Sequence, residues 1–153
     1  VSFCTIQLAH AQEADEIAAF MQLSENDSIY LKTIEEYIRY IEEDSYEKPP
    51  KQIFIQYENF LFKIPKTVKG YEIVTLGYLN KKKVFRRNKN KLRLIEITPL
   101  QLKDGKFQVI LTPYWALRKR GRKYEMIFSH SIVVYFEFKN EKLVHTETKS
   151  FGI

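Results

Sequence analysis

The feature that most constrains this chain is the run "KYEMIFSHSIVVYFEF", residues 123–138, in which side chains alternate for sixteen positions with no Gly or Pro. Period two over that length can only be served by extended backbone. One face of the run is Tyr124, Met126, Phe128, His130, Ile132, Val134, Phe136 and Phe138, nearly all apolar. The other is mixed: Lys123, Glu125, Ile127, Ser129, Ser131, Val133, Tyr135 and Glu137. An antiparallel sheet covered on one side and wetted on the other produces this pattern. The preceding run repeats it, with Phe107, Val109, Leu111, Trp115 and Leu117 on one face.

The cover comes from upstream. Ile17, Phe20 and Met21 predict a short helix over Glu13–Leu23. Tyr30, Ile34, Tyr37, Ile38 and Ile41 predict an amphipathic one over Ile29–Glu43, with Asp27 or Ser28 as its cap. Pro49–Pro50 ends the helical part, because proline carries no N–H and biases its predecessor to extended geometry. Everything beyond reads as strands: Ile53–Phe62, Tyr71–Leu79, Leu92–Leu102 with Pro99 at a bulge or edge, Phe107–Leu117, Lys123–Phe138 and Leu143–Ser150. Asp104–Gly105 and Asn140–Glu141 mark hairpin turns. The expected fold class is α+β, with two N-terminal helices on a curved antiparallel sheet of about five to six strands. With 153 residues and 44% hydrophobic content, one domain over residues 12–153 accounts for the chain.

Residues 1–11 read differently. "VSFCTIQLAHA" has no acid or base apart from His10, and Ala9 and Ala11 stand where a signal peptidase selects small residues. The expectation is a leader remnant and an exported protein, in the periplasm, envelope or medium, with a cytoplasmic location as the alternative. No later stretch is apolar enough for a membrane span.

Charge divides at the prolines. Residues 1–50 hold 3 basic and 11 acidic residues, and residues 51–153 hold 22 and 8, for a net charge of +6. Two segments concentrate the excess: "NKKKVFRRNKNK", with Lys81, Lys82, Lys83, Arg86 and Arg87, and "WALRKRGRKYEM", with Arg118, Lys119, Arg120, Arg122 and Lys123. In an up-and-down meander both fall at the same end of the sheet. That end is the candidate site for an anionic partner, an envelope component if the chain is exported and nucleic acid if it is cytoplasmic. Charge reversal at Arg118, Lys119, Arg120 and Arg122 is expected to leave folding intact.

The chemistry-bearing residues are few. Cys4 is the only cysteine, which excludes an internal disulfide and a cysteine zinc site. His10, His130 and His145 are not at ligand spacing, there is no Gly-rich phosphate loop or nucleophile elbow, and no metal or cofactor is implied. His130, mid-strand among apolar neighbours, is the candidate acid or base if the chain is an enzyme. The leading expectation is a non-enzymatic ligand- or partner-binding domain, and the apolar aromatic strands also suit a homodimer.

Helices followed by long C-terminal strands, with "KYEMIFSHSIVVYFEF" and the closing "KSFGI", resemble small exported domains of the nuclear-transport-factor-2-like and cystatin-like superfamilies in Bacteroidetes-type bacteria. The resemblance implies a cone-shaped sheet and a pocket between helix and sheet, which would lie at Tyr37, Trp115, Phe128 and His130. It implies no particular function.

Overall fold

The computed structural model describes residues 25–44, 50–61, 63–121 and 123–152. The expected leader over residues 1–11 and the expected helix over Glu13–Leu23 lie outside these residues, so among the described residues one helix precedes the sheet. That helix, α1 (Glu25–Asp44), buries the face its spacing predicted: Tyr30, Ile34, Tyr37, Ile38 and Ile41. It begins ahead of the expected caps. Asp27 lies within its first turn and pairs with Lys63 at 3.7 Å.

Among the described residues nine strands follow in one sheet, not the expected five to six: β1 (Gln52–Gln56), β2 (Thr67–Val68), β3 (Tyr71–Leu76), β4 (Lys91–Ile97), β5 (Gln101–Lys103), β6 (Lys106–Arg118), β7 (Tyr124–Phe128), β8 (His130–Lys139) and β9 (Lys142–Gly152). A second helix, α2 (Lys81–Arg87), sits between β3 and β4. The strand order is β2-β3-β1-β4-β6-β8-β9, with β5 and β7 also paired to β6. Leu111 pairs with both Ile97 and Ile132, Phe107 with both Leu102 and Phe136, and Tyr114 with both Leu94 and Phe128. Hence β4 and β5 flank one side of β6, and β7 and β8 flank the other.

This arrangement corrects the cone-like, all-antiparallel expectation and with it the resemblance to the two superfamilies. The sheet is open, ending at β2 and β9, and it is mixed: β1 is parallel to both β3 and β4. Parallel neighbours require a crossover. Between β3 and β4 that crossover is α2, formed by a segment that reads from sequence as a connecting loop. The meander holds only from β4 onward.

The two helices cover opposite faces. Ile53, Ile55, Ile73, Ile95, Ile97, Val109, Leu111, Ile132, Val134 and Phe136 pack under α1. Phe54, Leu76, Leu92, Leu94 and Ala116, the alternate positions of the same strands, pack around Phe85 of α2. This is why β1 and β4 read as apolar on both sides. Burying Phe85 completely is worth roughly 1.5–3 kcal/mol relative to exposure, enough to hold a two-turn helix that propensity alone would not form.

The long alternating run does not keep one face. Between the pairs Tyr114–Phe128 and Leu111–Ile132, residues 129, 130 and 131 stand against Thr112 and Pro113 alone. The extra residue is a bulge, and it turns β7 over relative to β8. Ile132, Val134 and Phe136 therefore face α1, whereas Met126 packs on the α2 side. The turns hold as read: Asp104–Gly105 and Asn140–Glu141 both have positive φ at each central residue, as type I′ hairpins demand. Pro99 falls in the break between β4 and β5.

Candidate functional site: a cationic end with an apolar tip

From Tyr78 to Arg93 the chain carries eight Lys or Arg and no carboxylate, and from Tyr114 to Tyr124 it carries five more and none. The crossover brings these segments together. On α2, Phe85 points into the sheet, while Lys82, Lys83, Arg86 and Arg87 are exposed on the outer side. Lys81 lies between, its Nζ donating to Gln56 Oε1 at 3.1 Å and sitting 4.9 Å from the centre of the Tyr124 ring. The Tyr124 ring also meets Phe85 edge-on, with centroids 4.9 Å apart. Tyr124 thus joins the hairpin that follows β6 to the basic helix.

A second tie runs through Asn90, which follows α2 in the left-handed region at φ 61°. Its backbone carbonyl accepts from the Arg118 N–H at 2.8 Å and its side-chain oxygen from Arg118 Nη1 at 3.2 Å. The Arg118 Nε atom is shielded from solvent and has no hydrogen-bond acceptor among the described residues. The hairpin closes with Lys119 N–H donating to the Lys123 carbonyl at 2.8 Å. Between hairpin and helix is an open cavity of about 470 Å³ lined by Tyr78, Leu79, Lys81, Lys82, Arg118 and Tyr124.

The charge at this end is largely uncompensated. Among the described residues, Lys119 has Glu125 at 3.0 Å, while Lys82, Lys83, Arg86, Arg87, Arg120 and Lys123 have no ion pair. Arg122 lies outside the described residues.

The turn leading into α2 adds an apolar element that sequence reading left inside a strand. Tyr78 is 98% and Leu79 95% exposed. Their turn is nonetheless well tied: Asn80 Oδ1 accepts from the Gly77 N–H at 2.8 Å, Asn80 Nδ2 donates to the Thr75 carbonyl at 2.8 Å, and Lys81 N–H reaches the Gly77 carbonyl at 3.1 Å. The readable signal was "GYLNKKK", a glycine and an asparagine bracketing two apolar residues ahead of a charge run.

The four residues of the other expected pocket do not share one face of the sheet. Tyr37 is buried in the α1 core, where burial raises its hydroxyl pKa. Trp115 is 45% exposed on the α1 side, with Lys91 Nζ 4.8 Å above its ring. His130 lies against Tyr40 at 5.6 Å between centroids, with Nδ1 2.9 Å from Ser129 Oγ. Phe128 stands across the sheet from these, beside Tyr114 at 6.1 Å, because the bulge turns it over.

A separate polar cluster ties β9 to α1. Glu36, 5% exposed, accepts from Arg39 at 2.7 Å and Thr148 at 2.9 Å and pairs with Lys32 at 3.0 Å. Burial alone would raise its pKa, but these three hydrogen bonds, with His145 nearby, bring it down to about 2. Among the described residues no group of three or more His, Cys, Asp or Glu is placed to hold a metal, and no helix is long and apolar enough to cross a membrane.

No family model, no curated protein and no solved structure matches this chain, so neither the superfamily resemblance nor the export it implied gains support from relatives.

Proposed function

We propose that this domain is a binding module for phosphate-bearing polyanions, and that the contact is made by the end of the molecule where α2 meets the β6–β7 hairpin. The observation that carries this reading is the convergence of Lys81, Lys82 and Arg118 on one cavity, with Lys83, Arg86, Arg87 and Arg120 exposed in the same two segments and without ion pairs among the described residues. Unpaired cations repel one another, and a polyanion relieves that repulsion while releasing its own counterions.

The test is the affinity for fluorescently labelled inorganic polyphosphate between about 50 and 200 mM salt, where several phosphate contacts make binding fall steeply. Binding that weakens with salt and is lost in Lys82→Glu/Arg86→Glu supports the reading. No binding at low salt, or binding that the double variant keeps, overturns it.

A further inference from the structure

We infer that the polyanion is the surface of an anionic lipid bilayer, with Tyr78 and Leu79 entering the headgroup layer while the cations of α2 and the hairpin sit on lipid phosphates. This rests on the polyanion reading and names its partner class. Three observations carry it beyond charge.

The first is the exposure of two consecutive large apolar side chains, nearly complete at both. Scattered exposed residues are ordinary, but here the pair borders a cavity whose remaining walls are Lys81, Lys82, Arg118 and Tyr124. The second is that the turn is held rather than frayed. Both polar ends of the Asn80 side chain bond back to the backbone at Thr75 and Gly77, so the turn that carries the two exposed side chains is held in place.

The third is the chemical match. Tyrosine, with an apolar ring and a polar tip, suits the boundary between headgroups and acyl chains. Leucine gains from an acyl environment and gains nothing by stacking on a base or meeting a phosphate, which favours lipid over nucleic acid. The outward row Lys82, Lys83, Arg86 and Arg87 complements a negative leaflet. Two apolar side chains plus such a row make a reversible surface contact.

The experiment is co-sedimentation of the full chain with phosphatidylcholine vesicles containing about 30 mol % phosphatidylglycerol and with pure phosphatidylcholine vesicles, alongside the polyphosphate assay. The expected result is binding to the anionic vesicles only, reduced roughly tenfold or more in Tyr78→Ser/Leu79→Ser, a larger loss than the same variant shows toward polyphosphate. In a Trp115→Phe background, Leu79→Trp emission should shift to the blue on adding anionic vesicles and not on adding polyphosphate. Both tip residues are almost fully exposed, so these variants are expected to fold as the parent does.

If the parent binds polyphosphate but not anionic vesicles, the lipid inference fails and the polyanion reading stands. If Tyr78→Ser/Leu79→Ser binds vesicles as tightly as the parent, or Leu79→Trp emission does not move, insertion of the tip is excluded. If the parent binds neither, both fail.

Discussion

Thr148 and Glu36, 112 positions apart, meet through a 2.9 Å hydrogen bond in which the Thr148 hydroxyl donates to the Glu36 carboxylate. The bond joins the C-terminal edge strand to the covering helix, and its acceptor is a buried charge. Glu36 keeps that charge only because Arg39 and Lys32 on its own helix and Thr148 on β9 surround it.

The consequence is a defined acid sensitivity. The Glu36 pKa is lowered from 4.5 to about 2, so the folded state gains stability above the unfolded value and loses it as pH falls from about 4.5 toward 2. Arg39 and Lys32 are partly solvent-screened, which keeps the gain to roughly 2–3 kcal/mol. Glu36→Gln should lower the melting temperature at pH 7 and flatten its fall over that acid range, as calorimetry at stepped pH would read.

Phe85→Ala should behave as a core truncation although the segment reads as a surface loop. Phe85 is fully buried against Phe54, Leu76, Leu92, Leu94 and Ala116, so its loss should cost about 3–5 kcal/mol in urea unfolding. A cost near zero would mean that α2 does not pack on the sheet.

The two ends of the hairpin should respond differently to charge reversal. Arg118 is half-buried and bonded to Asn90, so Arg118→Glu should cost about 1–2 kcal/mol. Arg120 is exposed at the tip, and Arg120→Glu should stay within about 0.5 kcal/mol. Equal tolerance at both positions in urea unfolding would instead match the uniform tolerance that the sequence alone leads one to expect.

Deleting Ser129 leaves only His130 and Ser131 against Thr112 and Pro113, so Phe128 keeps its pairing with Tyr114 and Met126 its place on the α2 side. The Tyr124–Phe85 contact should therefore survive, with near-ultraviolet dichroism retained and the melting temperature within a few degrees of the parent. Loss of the near-ultraviolet signal would show that β7 changes face on deletion.

What the amino-acid sequence determined by itself was local. The 3.6-residue spacing of Tyr30, Ile34, Tyr37, Ile38 and Ile41 specified the buried face of α1, because a helix with one apolar stripe has one way to face a sheet. Asp104–Gly105 and Asn140–Glu141 specified hairpins, because those positions need positive φ. The absence of carboxylates over Tyr78–Arg93 and Tyr114–Tyr124 was equally plain. The tertiary structure decided the rest. "KKKVFRR" has too few apolar residues to show a period, and it is a helix because Phe85 finds a pit in the second face of the sheet. The parallel pairing of β1 with β3 and β4 needs the connection between β1 and β3 as well as the α2 crossover, and no single strand carries a mark of either. Alternation showed that residues 123–138 are extended but not where the face changes, since a bulge is a relation between two strands and is visible only in their register.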